Sequence, residues 1–491
     1  MNVRNVVGVL GQLLRPFALL LLIPAILDFV DNELASALTF AVTACVIFVG
    51  GILISRNRVD PNRISRIEAL AVVANAWLLA AALGSIPYMQ HGFGPVDALF
   101  ESMSGFTTTG ATIFRGEDFA TATRGLIFWR SLTQWVGGMG IIVLFVAILP
   151  ALAVAGRQMF FAEAPGPEEE ALTPRIRHTA AALYRLYIGL TVVEALLLAT
   201  VGGMTVFDAV CHSCTTLAAG GFSPNPQSLA GYGPAAQWIV TCFMFLAGAS
   251  FALQYKALSR PRVLTRDTEF RTYFWIVLGA GVAMAGLLAM TMKGDAYTVE
   301  SSLRHGLFQA ASIVTTTGYA SEDFNLWSES TLMVLAGLMF VGGCAGSAGG
   351  GPKVVRIVIV AKFLAREVLI ALHPRVVKVI RLGGRPVPRD TTRQLIGFLV
   401  AYITIFGIVA LITGVIEDDF RIGFTGSIVT LGNIGPGYGS IGPMETFANL
   451  KLPTKLLFIF NMWVGRLEVM SVLVLLHPSV LRTLLAHRRR A

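Results

Sequence analysis

Long stretches without charged residues recur along this chain and restrict what it can fold into. Clear examples cover residues 35–55, 272–292 and 394–416. A helix of about 20 residues crosses the roughly 30 Å hydrocarbon core of a bilayer. Composition agrees, because 55% of the residues are hydrophobic, only 14% are charged, and the mean hydropathy is +0.69. Soluble globular chains do not normally reach these values, so the sequence predicts an all-α membrane protein with several spans.

Charged residues are divided unequally between the loops. The basic loops contain Arg56, Arg58, Arg63 and Arg66, then Lys256, Arg260, Arg262, Arg266 and Arg271, then residues 353–393, and finally 488–490. The intervening loops are acidic at 117–118, 322–323 and 417–419. The positive-inside rule therefore places the basic loops in the cytoplasm. A nucleic-acid surface would be contiguous and interleaved with aromatic residues, so the net charge of +9 does not indicate nucleic acid.

Four shorter apolar segments end at a glycine before they could cross a bilayer. Ala98, Ala209, Gly306 and Gly423 each stand twelve positions before Gly110, Gly221, Gly318 and Gly435. We call these short segments pore helices 1 to 4, and each lies between two longer apolar stretches. An internal repeat with a shared re-entrant element indicates pseudo-fourfold architecture around one pore. The prediction is two N-terminal transmembrane helices in 1–60, followed by span–pore-helix–span repeats in 61–160, 161–260, 261–385 and 386–491, ten spans in all.

The residues at these glycines are suited to line a cation pathway. Non-helical backbone at membrane depth is tolerated only where it is buried in protein or lines water. Four such segments around one axis would supply rings of carbonyl oxygens, and the C-terminal partial charge of each pore helix would favour a cation. A single glycine is more simply explained by close helix packing. Four glycines in register favour the pathway.

Residues 107–113, 215–223, 315–321 and 431–437 resemble the four filter loops of the Trk/Ktr/HKT superfamily of K⁺ transporters. We call them filter segments 1 to 4. The two additional N-terminal helices and Asn433-Ile434-Gly435-Pro436-Gly437 resemble the TrkH-type subunits of that superfamily. The resemblance implies K⁺ ligands at Thr108, Thr109, Gly110, Ala219, Gly220, Gly221, Thr316, Thr317, Gly318, Asn433, Ile434 and Gly435.

Ion selectivity follows from the same resemblance. In the family, a serine in place of the first filter glycine accompanies Na⁺ transport, whereas this chain has Gly110. The resemblance therefore implies transport of K⁺, and of Rb⁺, in preference to Na⁺. Filter segments 2 and 4 depart from Thr-x-Gly-Tyr, so their carbonyl rings are expected to be less symmetric than those of a tetrameric channel. A Na⁺-selective or Na⁺-coupled member of the superfamily is the alternative.

Residues 341–353, which we call the glycine-rich loop, are expected to break the third returning span. Six glycines and a proline within 341–352 are incompatible with a stable helix. A phosphate-binding loop would follow a strand and end in Gly-Lys-Ser/Thr, which this one does not. The resemblance implies an intramembrane gate formed by Gly342, Gly343, Gly346, Gly349, Gly350 and Lys353 together with Arg466.

Two arginines lie within apolar spans, where charged residues are functional by default. Arg466 either pairs with Glu468 or another carboxylate, or lies in the permeation path, as the resemblance implies. We expect it to raise the barrier to K⁺ on the cytoplasmic side. Arg130 is the analogous residue of the first repeat, and there a structural role is expected.

Residues 353–393 contain ten basic residues against Glu367 and Asp390, and 354–372 alternate between apolar and basic residues. This pattern is typical of a helix near the inner membrane surface, although ordinary positive-inside anchoring would also explain it. The resemblance implies docking of a cytosolic nucleotide-binding ring of the TrkA type, a homodimer, and a location in the bacterial inner membrane. No cofactor is expected in this chain apart from K⁺ as the transported ion.

A membrane enzyme is the third interpretation. It would need intramembrane histidines or paired carboxylates as acid and base. His212 and His305 stand apart from each other in sequence, and Glu101 has no close acidic neighbour. The sequence therefore predicts that the protein is not an enzyme.

Overall fold

The computed structural model describes residues 3–55, 66–143, 172–291 and 298–476. The basic residues Arg56, Arg58 and Arg63 and the tail 488–490 lie outside the described residues. The end of the first returning stretch, after Val143, lies outside them as well.

Helices form nearly all of the regular structure in the described residues. The N-terminal helices are Val3–Leu20, Leu22–Val30 and Leu34–Ile54. Repeat 1 contains Arg66–Gly84, Ile86–Gln90, Pro95–Phe106, Gly116–Thr121 and Arg124–Val143. Repeat 2 contains Leu172–Thr200, Val206–Leu217, Pro234–Gly248 and Phe251–Ser259. Repeat 3 contains Arg262–Arg266, Thr268–Thr291, Val299–Val314, Glu329–Leu338 and Val354–Leu372. Repeat 4 contains Arg389–Glu417, Phe420–Leu431, Leu452–Arg466 and Val469–Leu476.

Short elements fill the remaining turns. The 3₁₀ helices are Ser228–Gly231, Phe324–Leu326, Gly439–Ile441 and Phe447–Asn449. Two antiparallel strands, Arg381–Leu382 and Arg385–Pro386, pair Arg381 with Pro386 in a small hairpin. This hairpin follows the helix Val354–Leu372, in the basic stretch that the sequence places on the cytoplasmic side.

The number of spans can be compared with the prediction of ten. In the described part of the chain, six helices are long and apolar enough to cross a membrane, or eight if two bent pairs each form one span. Of the other two predicted spans, Arg124–Val143 reaches the limit of the described residues, and Glu329–Leu338 ends before the glycine-rich loop. The model confirms an all-α membrane architecture and the break in the third returning span.

Two further breaks were not predicted. Pro234–Gly248 and Phe251–Ser259 meet at 101°, and Leu452–Arg466 and Val469–Leu475 meet at 106°. The second and fourth returning spans are therefore bent, like the third, at a similar place relative to the preceding filter segment.

The four pore helices are Pro95–Phe106, Val206–Leu217, Val299–Val314 and Phe420–Leu431. Pore helix 1 begins with Pro95 after Gly94 and has no side-chain cap. In the other three, Thr205, Thr298 and Asp419 accept hydrogen bonds from first-turn N–H groups. Such side chains satisfy N–H groups that the helix itself leaves unpaired. The C-terminal halves are buried, so these short helices point from the outer side into the protein core.

Candidate functional site

All four pore helices end in the same backbone motif. In pore helix 3, Thr316 N–H donates to Ile313 O (3.1 Å) and Thr317 N–H donates to Ser312 O (2.9 Å). These are the two bonds of a Schellman motif, which normally places glycine at its left-handed position. The equivalent bonds join Thr108 to Gly105 and Thr109 to Ser104, Ala219 to Thr216 and Gly220 to Thr215, and Asn433 to Thr430 and Ile434 to Val429.

The left-handed position is not glycine in any of the four copies. The φ angles are +50° at Thr108, +53° at Ala219, +62° at Thr316 and +54° at Asn433. Such a backbone costs a residue with a side chain about 1–3 kcal/mol and persists only where the surroundings enforce it. Two residues later the filter glycines also have positive φ, at Gly110, Gly221, Gly318 and Gly435. The register that the sequence predicts is therefore present in the backbone angles.

The filter glycines show how the four segments are arranged. A Cβ atom on Gly110 would overlap the carbonyl oxygen of Gly220, which belongs to filter segment 2. In the same way, a Cβ atom on Gly221 would be too close to Thr317 O. One on Gly318 would be too close to Ile434 O, and one on Gly435 too close to Thr109 O. Each segment therefore contacts the next in the order 1, 2, 3, 4 and back to 1. The four segments form one closed ring, and only glycine fits at these contacts.

Most carbonyl oxygens in this ring have no donor among the described residues. No hydrogen bond from a described residue reaches the oxygens of Thr108, Thr109, Gly110, Thr316, Thr317, Gly318, Asn433, Ile434 and Gly435. Seven of these nine residues are buried, and Gly110 and Gly318 are half-buried, whereas buried carbonyl groups are nearly always paired. Rings of such oxygens can replace the hydration shell of a monovalent cation.

Filter segment 2 is held differently. The side chain of Gln134, in the second span of repeat 1, donates from Nε2 to Gly220 O (2.7 Å) and accepts from Phe222 N–H (3.0 Å). Gly220 O is therefore shared with a protein donor, whereas Ala219 O and Gly221 O accept no bond within the described chain. The sequence did not predict a role for Gln134, which lies in an ordinary apolar span.

Three pore-helix side chains support the outgoing limb of their filter segments. Glu101, His212 and Gln309 each stand nine positions before the filter glycine of their repeat. Glu101 Oε2 accepts from Ile113 N–H (2.8 Å), His212 Nε2 contacts Ser223 Oγ (3.0 Å), and Gln309 Nε2 donates to Tyr319 O (3.2 Å). His212 and Glu101 thus have structural partners beside the filter. Their shared register position was the sequence signal that could have revealed them.

Other contacts join neighbouring filter segments. Asn433 Nδ2 donates to Thr109 Oγ1 (2.9 Å), which links segment 4 to segment 1. The Tyr319 hydroxyl hydrogen-bonds Thr215 Oγ1 and also donates to His212 O (3.2 Å), which links segment 3 to pore helix 2. The aromatic residue of Thr-Thr-Thr-Gly-Tyr therefore holds the ring together from behind.

Arg130 lies beside the outer end of this ring. Its Nε–H donates to Glu101 Oε1 (2.8 Å), and its Nη1–H donates to Ser223 O of repeat 2 (3.0 Å). The guanidinium carbon lies 4.3 Å from the ring centre of Phe114 and 4.4 Å from that of Phe222. Arg130 thus donates hydrogen bonds to acceptors in both repeat 1 and repeat 2, which favours the structural role expected for it.

A cavity of about 330 Å³ opens on the outer side of the filter ring. Gly110, Gly221 and Gly318 line it together with Pro436, so all four filter segments reach its floor. It connects the filter to the outer surface of the described chain.

The glycine-rich loop lies against the opposite, cytoplasmic side of the filter. Gly350 N–H donates to Thr316 Oγ1 (2.6 Å). Cβ atoms on Gly349 and Gly350 would overlap the carbonyl oxygens of Thr315 and Gly432, respectively. The loop therefore packs under the ends of pore helices 3 and 4 without space for side chains.

The other predicted loop residues shape its path. Gly342 has a φ of +80° and Gly346 has +75°. Gly343 O accepts from Val354 N–H (3.0 Å), and Gly346 O accepts from Phe251 N–H (3.1 Å), at the bend of the second returning span. Lys353 is buried with a φ of +77°, and its ammonium group donates to Gly349 O.

Arg466 reaches the same place from repeat 4. It is 2% exposed, and its guanidinium donates to Ala348 O of the glycine-rich loop (2.9 Å) and to Gly137 O of the second span of repeat 1 (3.1 Å). Glu468 instead pairs with Arg356 (2.7 Å). Within the described residues, Arg466 therefore forms no ion pair with a carboxylate. Repeats 1 and 3 are the two neighbours of repeat 4 in the ring, so this arginine joins three repeats below the filter.

Comparisons with known proteins agree with this geometry. A family model for TrkH, described as a cation transport protein, matches residues 35–480. The chain is 36% identical over 493 residues to the Trk system potassium uptake protein TrkH of Salmonella typhimurium, covering 98% of this chain and 100% of that protein. It is 30% identical over 482 residues to the Trk system potassium uptake protein TrkG of Escherichia coli, covering 96% and 98%.

A solved structure matches at the level of the fold. The crystal structure of the potassium transporter TrkH from Vibrio parahaemolyticus superposes with a TM-score of 0.89 at 32% identity. The match covers 98% of this chain and 100% of that one. The chain therefore has the fold of a multi-pass, all-α membrane transport protein.

Proposed function

The chain belongs to the TrkH family of cation transport proteins, and we propose that it conducts K⁺, and Rb⁺ with it, into the bacterial cell. It is a multi-pass protein of the inner membrane. Its relatives are named as potassium uptake proteins. The observation that carries the proposal is the closed ring of four filter segments, with buried carbonyl oxygens that no described donor satisfies.

Selectivity for K⁺ rests on the glycines of that ring. Neutral carbonyl oxygens can coordinate a dehydrated monovalent cation without binding it too tightly to leave. The described residues contain no group of three or more His, Cys, Asp or Glu side chains that could hold a metal ion. Backbone oxygens are thus the available ligands. Gly110 stands where a serine accompanies Na⁺ transport in the superfamily, which favours K⁺ over the Na⁺-selective alternative.

The gate of this pathway is the glycine-rich loop together with Arg466. The loop lies directly under the filter through the bond from Gly350 N–H to Thr316 Oγ1. Arg466 places a positive charge below the filter, where it is hydrogen-bonded to Ala348 O and Gly137 O. A cation that leaves the filter toward the cytoplasm would meet both, so the loop and the arginine must move or be screened for conduction.

Control of the gate comes from a cytosolic partner. The segment after Val354–Leu372 presents Arg375, Lys378, Arg381, Arg385, Arg389 and Arg393, all exposed. This basic surface fits a cytosolic nucleotide-binding ring of the TrkA type, and the pore subunit is proposed to act as a homodimer. The nucleotide-binding part then belongs to the partner.

Ion uptake into cells that lack their own K⁺ uptake systems tests the transport proposal. We expect expression of this chain to support Rb⁺ uptake that external K⁺ competes away and external Na⁺ does not. Uptake of Na⁺ in preference to Rb⁺ would favour the Na⁺-selective alternative. No cation uptake by a correctly inserted protein would reject the transport function.

Substitution of Arg466 tests the gate. Arg466→Ala removes both the charge and the bridge, so we expect Rb⁺ flux without the cytosolic partner to rise by about tenfold, the effect of losing hydrogen bonds to one charged group. Arg466→Lys keeps the charge but cannot reach both carbonyls in the same geometry, and an intermediate flux is expected. Unchanged flux and unchanged regulation in Arg466→Ala would remove Arg466 from the gate.

A further inference from the structure

The carboxylate of Glu269 joins the two ends of the glycine-rich loop. Its Oε1 accepts a hydrogen bond from Ala345 N–H (2.7 Å) near the beginning of the loop. The same oxygen accepts from Val355 N–H (3.3 Å), just beyond the end of the loop. Glu269 itself lies in the first turn of Thr268–Thr291, the first span of repeat 3. A rigid span thus holds both ends of the loop through one atom.

The helix that follows the loop needs an acceptor from outside. Val354–Leu372 begins after Lys353, whose side chain makes no capping bond. The first N–H groups of a helix have no partner within it and require external acceptors. Val354 N–H is satisfied by Gly343 O (3.0 Å) and Val355 N–H by Glu269. A negative charge at a helix N-terminus is also electrostatically favourable, so Glu269 replaces the missing cap.

The middle of the loop contacts the pathway. Between the two ends held by Glu269, Ala348 O accepts a hydrogen bond from Arg466, and Gly350 N–H donates one to Thr316 Oγ1 of filter segment 3. A glycine-rich segment has many accessible backbone conformations, so its position depends on such contacts. Losing Glu269 would release the start of the loop and the following helix together.

We propose that Glu269 is a positioning residue that latches the glycine-rich loop in its closed arrangement under the filter, an inference that rests on the proposed function of the loop as a gate. Glu269 does not touch the ion. It acts through the loop backbone and through the N-terminus of Val354–Leu372. Its removal is expected to leave the filter ring intact while it frees the loop.

A native thiol next to the latch reports on the loop. Cys344 precedes Ala345 and is 2% exposed. In the purified full-length protein, its reaction with a maleimide can be followed by mass spectrometry of the peptide that contains it. Rb⁺ flux into liposomes without a cytosolic partner supplies the second readout. The variants are Glu269→Ala and Glu269→Gln.

Asp267→Ala is the matched control. Asp267 Oδ1 accepts from Phe270 N–H (2.7 Å) at the start of the same span. Its removal weakens the local helix start to a similar degree but takes away no hydrogen bond of the loop. A general loosening of this helix end would therefore appear in both Asp267→Ala and Glu269→Ala, whereas release of the latch would appear only in the latter.

We expect Glu269→Ala to speed Cys344 labelling by about tenfold, the effect of losing a hydrogen bond to a charged group, and to raise Rb⁺ flux. Glu269→Gln keeps an oxygen acceptor without the charge and is expected to lie between Ala and the parent, while Asp267→Ala stays at the parental values. The latch is overturned if labelling stays parental in both Glu269 variants, or if their flux stays parental while Arg466→Ala conducts Rb⁺. If Glu269→Ala does not fold, Glu269→Gln decides by the same criteria. If Arg466→Ala, the parent and both Glu269 variants all fail to pass Rb⁺, the proposed function is rejected, and Cys344 labelling still decides whether Glu269 holds the loop.

Discussion

At the scale of the residue, the absence of a side chain at four glycines is what allows the filter ring to close. Each of these glycines combines a positive φ with a close carbonyl from the neighbouring segment. The residue two positions earlier adopts a left-handed backbone even when it is Thr, Ala or Asn. Strain of this kind is tolerated where the surroundings enforce it, and here it recurs at the same position in all four filter segments.

Gly318→Ala tests this point. We expect K⁺ flux to fall by about tenfold or more and selectivity over Na⁺ to decrease, because an L side chain at a left-handed position costs about 1–2 kcal/mol and Ile434 O must also shift. Flux and ion competition in liposomes provide the measurement. Gly337→Ala, in the helix Glu329–Leu338 with open space around it, is the control and should behave as the parent. Parental selectivity in Gly318→Ala would contradict the ring geometry.

The Arg130–Glu101 pair belongs to the same scale. Arg130→Leu leaves a buried carboxylate without its cation, so we expect a loss of about 3–5 kcal/mol in unfolding free energy. The double variant Arg130→Leu/Glu101→Leu removes both charges and should recover part of that loss. Unfolding in detergent measures both.

A surface pair gives the comparison for Arg130. Arg124 pairs with Asp31 (3.0 Å) but is 54% exposed, so Arg124→Leu should cost no more than about 1 kcal/mol. If Arg130→Leu were as mild as Arg124→Leu, the buried pair would not be a structural support of the outer filter.

At the scale of the element, each returning span supports the end of a pore helix. Gly137 lies against Phe106 O, Gly349 against Thr315 O and Gly465 against Leu431 O, each too close for a Cβ atom. In repeat 2, Gly248 lies similarly against the Thr315 side chain. Gly137 lies within a continuous helix, whereas the other three positions coincide with the bends of the second and fourth returning spans and with the loop of the third. The breaks thus bring backbone close to the filter from the cytoplasmic side.

Gln134→Leu tests how a span supports a filter segment. It removes the bonds to Gly220 O and Phe222 N–H, and a buried group left unsatisfied costs about 1–3 kcal/mol. We expect K⁺/Na⁺ selectivity to fall while the protein stays folded, because Gly220 O and Phe222 N–H lose the side chain that holds filter segment 2 at the carbonyl ring. Asn75→Leu is the control, since within the described chain the Asn75 side chain bonds only Ala71 O of its own helix (2.7 Å). Equal selectivity in the two variants would reject a role for Gln134.

The pore helices and filter glycines could be predicted because they recur in register along the sequence. The support by Gln134 could not, because it joins residues 86 positions apart and depends on the order of the segments in the ring. The bend after Arg466 has no proline and no glycine run, and Glu468 reaches its φ of +62° through its tertiary contacts. The sequence also left undecided which group Arg466 contacts. Glu468, two positions away, is the nearest carboxylate along the chain, but it pairs with Arg356.

At the scale of the whole molecule, the filter and the glycine-rich loop form one connected structure. Thr316 is part of the third pore-helix end and also binds the loop through Gly350. Arg466 joins repeat 4 to repeats 1 and 3 below the ring. Movement of the loop would therefore change contacts in three repeats. In the proposed function, the membrane potential would supply about 2.3 kcal/mol per charge per 100 mV to drive cations inward once the path is open.

The reversal potential of the purified protein in planar bilayers or liposomes tests this account most directly. With separate K⁺ and Na⁺ gradients, we predict a reversal potential that follows the K⁺ gradient by about 59 mV for each tenfold change and does not respond to Na⁺. A reversal potential that follows Na⁺, or a folded protein that passes neither cation when Arg466 is replaced by alanine, would contradict the carbonyl ring as a K⁺ filter.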